Sequence, residues 1–180
     1  MTRHGFTSHA PSTLAKDDLV AVYGGVYEHS PWIAAQAHGL GLRADHDTAE
    51  GLSQAFRAVV ETAGDQRQLE LLRAHPDLAG KLAVDGKLTE ESTSEQTGAG
   101  LDQCTVDEFA RFQSLNEAYT GKFGFPFILA VAGYGRHEIL EIFERRVGND
   151  VVIEMREALD QVHRIALFRL IALAENGAGE

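Results

Sequence analysis

Apolar residues recur at intervals of three and four along nearly the whole chain, the spacing that gathers side chains onto one face of an α-helix. Leu14, Val20, Val22, Tyr23 and Val26 make the first such face. Ser30, Pro31, Trp32 and Ile33 read as a helix start, with a serine able to cap and a proline suited to the first turn. Asp47 or Thr48 opens a helix through Leu52, Phe56, Val59 and Val60 that stops near Gly64. Asp65 with Gln68 predicts a capping box ahead of Leu69, Leu71 and Leu72, and Pro76 ends that helix at about His75. Thr105 with Glu108 repeats the signature before Phe109, Phe112, Leu115 and Tyr119, with Gly121 and Gly124 closing it. Ile139 to Val147 form a further helix after Gly135, and Val151 to about Ala174 form the last and longest.

Two stretches break this rhythm. FPFILAV, Phe125 to Val131, is the one run that could be a strand, but without partners it reads better as buried helix or loop. Asp85 to Gly100 is a long polar interval, which in a compact domain is either mobile or a binding element. The expected fold is therefore all-α, a single-domain helical bundle of about eight helices over residues 1–180, with 1–12 a flexible N-terminal segment.

Composition adds exclusions. A chain that is 44% hydrophobic and 24% charged is an ordinary globular protein. Its net charge of −11 is spread along the sequence, which argues against nucleic acid or an anionic membrane surface as partner. A single cysteine, Cys104, allows no intrachain disulfide and suits a reducing compartment. The first residues lack an apolar signal core, no run reaches membrane-spanning length, and the tail ENGAGE carries no peroxisomal address, so a cytoplasmic location is expected. The eight histidines show no zinc-ligand spacing, and no GxGxxG, P-loop or GxSxG occurs, so neither metal nor cofactor is expected.

Four features can carry chemistry. His75 stands where a helix ends against Pro76: its ring either complements the helix dipole or, aimed by the proline, serves at a pocket edge as a proton carrier. Ser92 and Glu95 within SxxEQ, Ser92 to Gln96, form a formal capping box, yet no apolar run follows. KFGFPFILAV supplies either core phenylalanines or backbone groups that need partners, which a flat polar ring could provide. Among the late arginines, Arg145, Arg146, Arg164 and Arg169, the last stands four residues after Ile165 on an apolar face, where it either holds an acidic substrate or snorkels.

Together HPDLAGK, SxxEQ, AGLD, LNxAY, KFGFPFI and the terminal IALFRL resemble the 2-oxo-4-hydroxy-4-carboxy-5-ureidoimidazoline (OHCU) decarboxylases of urate degradation, from about Val22 to Leu170. The resemblance implies an all-α homodimer and a cofactor-free reaction yielding (S)-allantoin. It implies His75 as catalytic acid/base oriented by Glu95. It also implies substrate contacts from Pro76, Ser92, Glu95, Gln96, the segment Phe127, Ile128, Leu129, Ala130 and Val131, and Arg169. The competing readings are a non-catalytic helical binding module and a decarboxylase of a related ureido acid.

Overall fold

The structure, a computed structural model, describes residues 4–79 and 89–177. The end of HPDLAGK and the start of the long polar interval lie outside those residues. Eight α-helices are described: α1 Lys16–Tyr23, α2 Trp32–Leu40, α3 Ala49–Thr62, α4 Asp65–Arg73, α5 Glu90–Gly98, α6 Val106–Phe123, α7 Arg136–Arg146 and α8 Val151–Gly177. Among the described residues there is no strand, so the all-α expectation holds. The chain divides into two compact units, Met1–Ala74 with His163–Glu180, and His75–Val162.

In the first unit the helix signals act much as read. Thr48, rather than Asp47, caps α3 by accepting the Gly51 N–H, and Leu52, Phe56, Val59 and Val60 are buried. Each such aliphatic or aromatic side chain contributes roughly 1.5–3 kcal/mol on burial. Asp47 turns instead to Ser12, accepting from its backbone N–H at 2.8 Å and its hydroxyl at 2.7 Å. The capping box expected at Asp65 and Gln68 does not form. Gly64 occupies the cap, and Gln68 Nε2 reaches back to donate at 3.0 Å to the Val60 carbonyl, which also accepts the Ala63 N–H at the end of α3.

Residues 4–12, expected to be flexible, are tied down at several points. The His4 carbonyl accepts the Ala49 N–H, Phe6 donates to the Asp47 carbonyl, and the Tyr23 hydroxyl donates to the His9 carbonyl. Phe6 also packs edge-on against Tyr23. Residues 24–31 run irregularly yet bury Val26, Tyr27 and Glu28. The Tyr27 hydroxyl meets His163 Nδ1 at 2.7 Å, and burial drives its pKa far above the ordinary tyrosine range.

The second unit is built around α6. Thr105 and Glu108 form the predicted reciprocal cap, the Glu108 N–H donating to Thr105 Oγ1 at 3.2 Å and the Thr105 N–H to Glu108 Oε2 at 2.8 Å. Gly121 stays inside α6, and Gly124 alone ends it, in a left-handed conformation (φ 76°) that glycine adopts without a Cβ penalty. The inner face of α6 carries Phe112, Asn116, Tyr119 and Phe123. Tyr119 touches the rings of Phe123, Phe125, Phe127 and Phe143, while Phe127 stacks on Phe143 at 3.8 Å between centroids. Residues 125–131 are neither strand nor helix; they form an irregular, wholly buried strap.

Candidate active site

Helix α4 ends at Arg73, and Pro76 offers no N–H with which to continue it. His75 follows the last turn and is 8% exposed, so it is not a solvated helix-end residue. Residues 76–79 then run against α5 and α6. At Ala79 the backbone is left-handed (φ 48°), a conformation that costs a residue with a Cβ about 1–2 kcal/mol. Burial raises the pKa of the intervening Asp77.

Helix α5 is capped one turn earlier than SxxEQ suggested: Thr89 accepts the Ser92 N–H at 3.3 Å. Ser92, Glu95 and Gln96 therefore lie within the helix, three and four residues apart and so on neighbouring positions of one face. Ser92 and Gln96 are buried and Glu95 is half-buried. Gln96 Oε1 accepts the Ala79 N–H at 3.0 Å, and its Nε2 lies 3.5 Å from the Asp77 carbonyl. The structure thus joins Gln96 directly to the loop that His75 begins.

The same loop is held from the other side by α6. Asn116 Nδ2 donates to the Leu78 carbonyl at 3.0 Å and Gln113 Nε2 to the Ala79 carbonyl at 2.9 Å. One turn beyond Asn116, Tyr119 packs edge-on against Phe127 of the strap. A single helix therefore supports both the His75 loop and Phe127 to Val131.

The strap's backbone finds its partners in side chains. Arg146 Nη1 donates to the Ile128 carbonyl at 2.8 Å, and the Ala130 N–H donates to Gln161 Oε1 at 3.0 Å. Behind them lies a buried charge network. Arg146 bonds Glu154 Oε1 through Nε at 2.9 Å and Nη2 at 2.6 Å, Asn149 Nδ2 donates to Glu154 Oε2 at 2.7 Å, and the Tyr119 hydroxyl donates to Oε1. Desolvation first, and then the bond to Glu154, push the Tyr119 pKa far above its usual value, so it remains a donor at any working pH.

Arg169 belongs to the first unit. It is buried rather than snorkelling, with Nη1 2.8 Å from Glu28 Oε2 and 3.5 Å from the Val26 carbonyl. A cavity of about 420 Å³ in the second unit includes Ala79, Gln96 and Cys104 in its wall, but not His75, Ser92 or Glu95. Burial raises the pKa of the Cys104 thiol, which makes it a poor nucleophile. Among the described residues, no group of three or more His, Cys, Asp or Glu could hold a metal ion, and no helix is long and apolar enough to cross a membrane.

Gln113, Asn116, Glu154 and Gln161, which hold the loop and the strap or back them, were not expected from the sequence, and Arg146 was named only as one of four late arginines. A signal was present for two of them. Asn116 lies four residues from Phe112 and three from Tyr119, and Arg146 three from Phe143, so both are polar residues on an apolar helical face.

The OHCU decarboxylase family profile matches residues 12–171. A 2-oxo-4-hydroxy-4-carboxy-5-ureidoimidazoline decarboxylase of Haloferax volcanii is 39% identical over 167 residues, 93% of this chain and 95% of the relative. A uric acid degradation bifunctional protein of Bacillus sp. is 34% identical over 91% of this chain, which spans only 31% of that longer protein. The crystal structure of an (S)-allantoin synthase superposes with a TM-score of 0.72 at 32% identity, covering 93% of this chain and 53% of the other. A match over nearly the full length of both sequences, on a fold of the same architecture, leaves one conclusion: the chain belongs to the OHCU decarboxylase family of carboxy-lyases.

Proposed function

We propose that this chain converts OHCU to (S)-allantoin in urate degradation, with His75 as acid/base. The observation that carries the reading is the bond between Gln96 Oε1 and the Ala79 N–H. It ties the helix bearing Ser92, Glu95 and Gln96 to the loop that His75 begins, across 17 residues of sequence.

The chemistry suits such a site. The substrate ring carries a carbon–nitrogen double bond beside the carbon that bears both hydroxyl and carboxylate. As the bond to carbon dioxide breaks, its electron pair enters that imine, giving an enediol-like species. The imine nitrogen takes up a proton, loss of the hydroxyl proton makes the ring carbonyl, and a proton is added to the neighbouring carbon; with two protons gained and one lost, one is taken up per carbon dioxide released. His75, oriented by Glu95, takes the hydroxyl proton and returns one to a single face, which fixes the hand of the product. Ser92, Gln96, Pro76 and the Phe127 to Val131 segment hold the ring and ureido group. General acid/base catalysis contributes about 100- to 10,000-fold, and alignment of the bound substrate the remainder. A homodimer, implied by the family resemblance, and a cytoplasmic location, expected from the sequence, complete the proposal.

The test is His75→Ala, with its fold checked by circular dichroism, supplied with OHCU generated in place from urate by urate oxidase and hydroxyisourate hydrolase. Optically active allantoin should form no faster than without enzyme. Formation at the wild-type rate would exclude His75. Failure of the wild-type protein on OHCU, with turnover of another ureido acid, would move the substrate assignment instead.

A further inference from the structure

We propose that Asn116, assisted by Gln113, is a positioning residue that sets the direction of His75. The inference rests on the reading of His75 as the acid/base. It stands on a concentration of bonds that packing alone does not require. Three consecutive backbone groups of the His75 loop, the Leu78 carbonyl, the Ala79 N–H and the Ala79 carbonyl, are each held by a side-chain amide: Asn116, Gln96 and Gln113 respectively.

Ala79 is in left-handed backbone without being glycine, so the loop sits in a conformation that relaxes unless its ends are held. Asn116 is 5% exposed and donates its amide to Leu78, while its Oδ1 has no hydrogen-bond partner among the described residues. A buried amide with one end unsatisfied is costly, and here the satisfied end is the one that fixes the loop. The ring of His75 lies three residues from that fixed carbonyl, with Pro76 restricting rotation between them. Small misplacements of a proton-transfer group cost rate steeply, about 100-fold for 1 Å.

Asn116→Asp keeps the shape and removes the donor, turning an attraction for the Leu78 carbonyl into a repulsion. The variants to compare are Asn116→Asp, His75→Ala and the double variant. They are assayed for kcat and KM on freshly generated OHCU and for the ring signals of isotopically labelled histidine. We expect kcat to fall about 100-fold with KM changed far less, no further loss when Asn116→Asp is added to His75→Ala, and a displaced His75 ring resonance with those of His4 and His163 unmoved. Wild-type kcat in folded Asn116→Asp overturns the proposal, and so does a full additional loss in the double variant, which marks a merely structural role. If His75→Ala retains activity, the acid/base reading fails, and the resonance then decides positioning alone: displacement upholds it and an unmoved signal ends it. Should Asn116→Asp not fold, Gln113→Glu, at a half-buried site, takes its place, and the same results in the same measurements uphold or overturn the proposal.

Discussion

Residues 24–31 and 125–131 both run without regular secondary structure, and each is held by an arginine from a helix. The first segment carries its own carboxylate. Glu28 pairs with Arg169, and the Val26 carbonyl lies beside the same guanidinium nitrogen. The second, FPFILAV, has no ionisable side chain, so Arg146 must grip it by the Ile128 carbonyl, and the balancing carboxylate comes from Glu154 on α8. An apolar strap thus requires a charge network buried behind it, whereas a polar loop supplies half of its own tie. Glu154 is 0% exposed on a rigid helix, while Glu28 sits in a loop next to exposed His29, from which an orphaned carboxylate can swing toward water.

The largest expected difference follows from that contrast. Arg146→Met leaves the Glu154 carboxyl buried on its helix without its guanidinium partner, and should lower unfolding free energy by about 3–5 kcal/mol in a urea titration. Arg169→Met should cost visibly less in the same titration; equal losses would mean that the two ties are alike. Tyr119→Phe comes next. It keeps the ring among Phe123, Phe125, Phe127 and Phe143 but takes one donor from Glu154, with an expected loss of about 1.5–3 kcal/mol, and a neutral result would show that Arg146 and Asn149 satisfy Glu154 unaided.

The smallest effect concerns Asp77, in the loop beside Gln96. Burial raises its folded pKa above the unfolded value, so between those two values the native state binds more protons and stability falls as pH rises. Asp77→Asn removes that penalty. Its melting temperature should exceed wild type at pH 7 and match it below the ordinary aspartate range; an advantage equal at both pH values would mean that the carboxylate's charge is not the cause.

Where the sequence spoke clearly, a local bond was speaking. Thr105 with Glu108 closes its cap within one turn of helix, and Leu52, Phe56, Val59 and Val60 point inward because 3.6-residue periodicity leaves them no other face. The same local logic misplaced the cap at SxxEQ, because Thr89, three residues before Ser92, competes for the role and wins it. At Asp65 and Gln68 the expected box lost to the Val60 carbonyl at the end of α3, to which the Gln68 side chain turns instead.

The chain's own order of residues determined the helical fold and the end of α4 ahead of Pro76, since periodicity, capping and the missing proline N–H act within a few residues, whereas the role expected of His75 came from the family resemblance. It could not specify that Asn116 and Gln113 hold the loop after His75, that Arg146 and Gln161 hold the strap, or that Arg169 finds Glu28. Those bonds span from 18 to 141 residues of sequence. Each depends on where packed helices bring a single donor and acceptor, and only tertiary structure decides that.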